Sequence, residues 1–233
     1  MFSPPAAPLP TLCGKPVATD RALVMAIVNR TPDSFYDRGA TFTDEAAMAA
    51  VDRAVAEGAD LVDIGGVKAG PGNEVDAAEE TRRVVPFVAA IRAAYPDLLI
   101  SVDTWRSEVA RAAVAEGADL INDTWAGADP ELVRVAAEHG AGIVCSHTGG
   151  AVPRTRPHRV RYADVVAEVT ETVVGPPPPG AAVPPPAPPR ARPAGGGPAP
   201  PARGGPAPGG APAAGVRTDS ILIDPTHDFG KNT

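Results

Sequence analysis

The chain has 233 residues, a formal net charge of −7 and a sequence pI near 5.1. That length suits one domain, and the acidic balance argues against nucleic acid as a partner. Two cysteines, Cys13 and Cys145, cannot build a disulfide framework, and no apolar run reaches the roughly 18–20 residues of a membrane helix. The first residues lack both a basic start and an apolar stretch, so no signal peptide is expected. Together these features predict a soluble, cytoplasmic protein.

In chain order, residues 1–21 read as a disordered N-terminal tail. Six short apolar runs then read as buried strands, at residues 23–28, 61–64, 98–102, 120–121, 142–145 and 221–223. Helical patterns lie between them. Thr43 is placed to cap a helix with Met48, Val51, Ala54 and Val55 on one face. Asp129 and Pro130 read as a cap followed by proline at the first helical position. A further helix is expected at 162–174, carrying Val165, Val166, Val169 and Val173.

The sequence AVAEGADL occurs twice, at 54–61 and at 113–120, and a looser copy begins at Val135. Each copy is a helix end, a glycine suited to a left-handed C-cap, and a short strand. Repeated helix–glycine–strand segments mean repeated βα units and a parallel sheet. The predicted fold class is α/β, a TIM-type (β/α)8 barrel represented by about six βα units. Five of these units fall in 22–174 and the sixth strand in 215–233.

Between them lies a block of another kind. Residues 175–214 comprise 16 Pro, 11 Ala, 9 Gly, 3 Arg and Val183. With almost nothing to bury, such a segment cannot offset its ordering entropy and is expected to lack regular structure. Its four main residue types are those whose codons can be built from G and C alone. It therefore reads either as a linker or as the product of a GC-rich stretch taken out of frame.

Each strand ends in a polar residue: Asn29, Asp63, Asp103, Asn122 with Asp123, His147, and Asp224. In parallel α/β folds the carboxyl ends of the strands are where ligands bind. A row of amides and carboxylates there suits a ring rich in hydrogen-bond donors.

The loops that follow these strands read NRTPDSF from Asn29, DIGGVKAGPG from Asp63, VDTW from Val102, INDTW from Ile121, CSHTGG from Cys145 and ILIDPTHDFGK from Ile221. In this order they resemble the dihydropteroate synthases, pterin-binding (β/α)8 barrels of folate biosynthesis. The resemblance implies that 4-aminobenzoate attacks the methylene carbon of 7,8-dihydropterin pyrophosphate and that pyrophosphate leaves with help from Mg2+. It also implies residue roles. Asp103, Asn122 and Asp224 would hold the pterin edge, Asn29 would lie beside the metal, and Asp37 would face the cation that develops as the diphosphate departs. Homodimers are common in this family.

The chain departs from the family pattern in its second loop. The usual DIGGESTRPG becomes DIGGVKAGPG, so Val67, Lys68, Ala69 and Gly70 stand where a Glu-Ser-Thr-Arg run is usual. Lys68 keeps a positive charge but cannot reproduce the bidentate fork of an arginine. A divergent branch of the family has a similar loop. With no segment resembling the family's seventh and eighth strands, this chain is expected to be inactive as a synthase. The alternatives are a non-catalytic pterin-binding paralogue, an inactive fragment, and a pterin-binding methyltransferase domain on a related barrel.

Overall fold

The computed structural model describes residues 11–31, 43–68, 72–148, 153–154, 164 and 215–224. A hairpin of β1 (Thr11–Leu12) and β2 (Lys15–Pro16) comes first. Then follow β3 (Met25–Asn29), α1 (Asp44–Ala56), β4 (Leu61–Gly65), α2 (Ala77–Ala94) and β5 (Leu99–Asp103). The chain continues through α3 (Ser107–Ala115), β6 (Leu120–Asp123), α4 (Glu131–His139), β7 (Gly142–Ser146) and β8 (Ile221–Asp224). Strands β3 to β8 form one parallel sheet in sequence order. The block at 175–214 and all of the expected 162–174 helix except Asp164 lie outside the described residues.

Side-chain alternation along each strand builds two cores. Val62, Ile64, Ile100 and Val102 face outward and pack with Val51 of α1 and with Val84, Phe87, Val88 and Ile91 of α2. Ile121 and Ile143 pack in the same way against Leu132 and Val135 of α4. The residues between them point inward, where Leu61, Leu99, Leu120 and Val144 form a second cluster. Burying each such side chain contributes about 1.5–3 kcal/mol. Both faces of the central strands are therefore covered, which is why they read as continuous apolar runs.

Of the tail expected over 1–21, the described residues begin at Thr11 and include this hairpin. Leu12 is buried with the inward cluster, at the end of the sheet where the strands begin. A Cβ on Gly142 would lie 2.6 Å from Cys13 Sγ and 2.7 Å from the Ser220 carbonyl oxygen, so only glycine admits the hairpin there.

The repeated AVAEGADL does what its pattern implies. Gly58 and Gly117 follow α1 and α3 at φ +91° and +105°, values that suit glycine. The repeat's aspartate has a second role that the pattern does not reveal. Asp60 Oδ2 accepts from the Val24 amide at 2.7 Å, and Asp119 Oδ2 accepts from the Ile100 amide at 2.9 Å. Each aspartate thus caps the start of the preceding strand. Helix α4 begins one residue later than expected, after Pro130. Asp129 still caps it, its Oδ1 accepting from the Glu131 amide at 3.0 Å.

Arg92, near the end of α2, ties this lower end together. Its guanidinium donates to the carbonyls of Tyr95, Pro96, Leu98 and Gly117 and to Asp119 Oδ2 at 2.6 Å. Lys15 of the hairpin reaches the same carboxylate at 3.0 Å. Arg92→Ala strips the carbonyls of their shared donor and leaves Asp119 underpaired. The site is partly open to solvent, so the expected loss is about 2–4 kcal/mol of unfolding free energy, read from urea denaturation at neutral pH.

Candidate functional site

Parallel pairing fixes which strand-end residues share a level. Asn29 lies opposite Gly65, Gly65 opposite Asp103, and Asp103 opposite Asn122. All four face inward, because Val28, Ile64, Val102 and Ile121 occupy the outward positions beside them. The expected residues Asn29, Asp103 and Asn122 are therefore brought together by register. Asp224 pairs with Ser146, one inward layer closer to the rim. Its carbonyl accepts from the amide of the buried His147 at 3.0 Å. Asp37 lies outside the described residues.

Gly65 is the gap in this row. A Cβ there would lie 2.9 Å from Asn29 Oδ1 and 3.9 Å from Asp103 Oδ2. The missing side chain lets the amide oxygen of Asn29 and the carboxylate of Asp103 approach the same space from either side.

Asp103 is held by Thr124, whose hydroxyl donates to Oδ1 at 3.0 Å. Below the row lies Asp63, a buried carboxylate to which the motif resemblance assigns no role. Ser101 Oγ donates to its Oδ1 at 2.6 Å, and Asn122 Nδ2 donates to its Oδ2 at 3.2 Å. Burial pushes the Asp103 carboxyl well up from the usual carboxylate range, and the neighbouring Asp63 pushes it further. Burial also raises Asp63, against the lowering effect of its two donors. The signal for Asp63 is present in the sequence: 61, 63 and 65 share a face, as do 99, 101 and 103, so Asp63 and Ser101 are inward neighbours of the row.

The loops above the row are braced independently. Arg106 pairs with the buried Glu80 of α2, donates to the Val75 carbonyl at 2.7 Å and lies over the Trp105 ring at 4.5 Å. This clamp joins the end of the second loop to the residues just after Asp103. Trp105 meets the buried Trp125 edge to face, with ring centroids 6.4 Å apart. In the second loop Val67 is buried, while Lys68 makes no ion pair with a described residue. Arg30 follows Asn29 and points away from the row, stacking on Phe87 at 4.7 Å and pairing with Asp44. It borders a cavity of about 790 Å³ between α1 and α2. That cavity is on the helix side of the sheet, behind the row of polar strand ends.

A divalent cation is implied by the motif resemblance. Among the described residues no cluster of three or more His, Cys, Asp or Glu could hold one. The amide oxygen of Asn29, a neutral hard donor leaning over Gly65, is compatible with a Mg2+ ion that takes its other ligands from water and phosphate.

A family model described as pterin binding enzyme matches residues 25–174, and the chain belongs to that family. It is 59% identical, over 95% of its own length and 67% of the other's, to a Mycobacterium leprae (strain TN) protein named inactive dihydropteroate synthase 2. The chain spans 62–67% of the length of curated relatives with that name. Among solved structures, it resembles Yersinia pestis dihydropteroate synthase in complex with a sulfonamide drug. That likeness has TM-score 0.75 and 29% identity, and covers 95% of this chain and 69% of the other. It also resembles Burkholderia cenocepacia dihydropteroate synthase complexed with 7,8-dihydropteroate, with TM-score 0.66, 29% identity, and 91% and 61% covered. The expected fold class holds: α/β, with part of a TIM-type barrel described. Among the described residues no helix is long and apolar enough to cross a membrane.

The loop after β6 yields a pH test. Asp123 accepts from the amides of Trp125 at 3.1 Å and Gly127 at 2.7 Å, closing a turn in which Ala126 and Gly127 both have positive φ. Burial outweighs these donors and pushes the Asp123 carboxyl up to about 6. Between pH 4 and 6 the folded state then binds the proton more tightly than the unfolded chain, so this residue's contribution to stability rises as pH falls. A tenfold difference in proton affinity between the two states is worth about 1.4 kcal/mol. The stability of the unsubstituted protein relative to Asp123→Asn should therefore improve by about 2 kcal/mol from pH 7 to pH 4, measured by urea denaturation at each pH.

Proposed function

We propose that this chain is a pterin-binding paralogue of dihydropteroate synthase in which the transfer step is impaired. The observation that carries this reading is the inward row of Asn29, Gly65, Asp103 and Asn122 at one level of a parallel sheet. A pterin presents a ring N–H and an exocyclic amino group on one edge. A carboxylate can accept from both, and an amide beside it offers one acceptor and one donor. Asp103 and Asn122 would take that edge, with Asp224 closing the pocket from the rim. A donor-rich ligand favours the ionised form of Asp103, offsetting the burial that raises it in the free protein.

The synthase reading is the weaker one on two grounds. Similarity to proteins named inactive dihydropteroate synthase 2 favours a chain that keeps the pocket and loses the transfer. The second loop, with Val67, Lys68, Ala69 and Gly70, supplies no hydroxyl or guanidinium to hold aminobenzoate or clamp a diphosphate. A lost clamp of this kind typically costs about 3–4 kcal/mol of transition-state stabilisation. Should a diphosphate-bearing pterin bind, Asn29 would offer an oxygen to Mg2+, which neutralises phosphate charge. Asp37 would face the methylene carbon.

The expected outcome by calorimetry is binding of 6-hydroxymethylpterin that Asp103→Asn weakens about 10- to 100-fold, the loss of one charge-assisted pair. In a pyrophosphate-release assay with dihydropterin pyrophosphate and 4-aminobenzoate, turnover should stay at background. Aminobenzoate-dependent release would restore the synthase reading. Equal pterin affinity in the two proteins would remove Asp103 from the pocket.

A further inference from the structure

We infer that Asp63 is a positioning residue, which fixes the orientation of the Asn122 carboxamide and so decides which of its polar atoms meets a ligand. The inference rests on the pterin-pocket reading and deepens it. Asparagine is ambiguous as a ligand residue, since rotating its terminal amide by half a turn exchanges an acceptor for two donors. Something must choose, and in a buried site that choice falls to the groups beneath it.

Asp63 is placed to choose. It lies on β4 and Asn122 on β6, with β5 between them, as alternate strands of a barrel layer do. Gly65 opposes Asp103 and Asp103 opposes Asn122, so Asp63 is one inward layer below Asn122. The two oxygens of Asp63 accept from Ser101 and from Asn122, so the group of Asn122 facing it is Nδ2, which donates to Oδ2 at 3.2 Å. Oδ1 of Asn122 is then turned away from Asp63. The other Asp63 oxygen is engaged by Ser101 Oγ at 2.6 Å, and Ser101 is itself fully buried. Asp63 is 4% exposed. Both of its oxygens serve protein donors, and its place beneath the row separates it from direct contact with a ligand resting on Asp103 and Asn122.

The consequence is specific. Without Asp63, Asn122 is free to turn, and a ligand edge that needs its acceptor in one place finds it there only part of the time. Affinity should fall through Asn122 and through no other residue. A second route runs the opposite way: the Asp63 charge pushes the Asp103 carboxyl up, so its removal would make Asp103 a better acceptor.

The test is a double-mutant cycle on the full chain, with calorimetric titration of 6-hydroxymethylpterin. Asp63→Ala should weaken binding about tenfold when Asn122 is present and cause no loss in the Asn122→Ala background, where relief of Asp103 can only tighten it. Asp63→Asn, whose amide oxygen can still accept from Nδ2, should keep affinity within about threefold of the unsubstituted protein. Should Asp63→Ala fail to fold, Asp63→Ser takes its place in the cycle. It keeps a hydroxyl for Ser101 but is too short to reach Asn122. The same fold-loss in both backgrounds, or no loss in either, overturns the inference. Absence of pterin binding by the unsubstituted chain overturns the pterin-pocket reading itself, a separate result.

Discussion

Asp103 and Asn122 are side by side because β5 and β6 pair in parallel with one residue opposite the other, and Gly65 and Asn29 join them by the same rule across β4 and β3. A strand side chain alternates faces, so a slip of one residue would send the three polar side chains of the row into the helix-packed core. The outward residues forbid that slip. Val62, Ile64, Ile100 and Val102 are locked against α1 and α2, and their burial holds the register. The pocket's geometry is thus a by-product of hydrophobic packing on the other face of the sheet.

The lower end of the barrel supplies the rigidity that a polar interior needs. Arg92 joins the loops before β5 and β6, Asp119 and Asp60 cap strand starts, and the hairpin packs beneath the inward leucines. Polar groups at the upper end can then be specialised without also holding the sheet together. Division between a stabilising lower face and a functional upper face is general in this architecture.

The site itself is dense in carboxylates. Asp63, Asp103, Asp123 and Glu80 are all raised by burial, Glu80 against the lowering effect of Arg106. Each has a partner that offsets part of the cost of burial: Ser101 and Asn122 for Asp63, Thr124 for one oxygen of Asp103, loop amides for Asp123, and a guanidinium for one oxygen of Glu80. Buried carboxylates are stable only with such partners. A donor-rich ligand would complete the set at Asp103, to which the described residues supply a single hydroxyl. The altered second loop leaves this acceptor floor in place.

The sequence alone determined the parallel βα architecture, through the repeated AVAEGADL and the apolar runs between helical patterns. It also determined that polar residues end each strand, and through NRTPDSF and DIGG it pointed to a pterin-binding family. These are local properties, since periodicity, glycine caps and motif spacing are written in neighbouring residues. What only the tertiary structure decided is which polar residues meet. Asn29, Asp103 and Asn122 share a level while Asp224 lies a layer above, because register between strands distant in sequence is set by packing. The place of Asp63 beneath Asn122, and the hairpin within a segment that reads as a disordered tail, are decided in the same way. Both depend on contacts across more than 50 residues of chain, where local pattern carries no information and only close packing selects the partner.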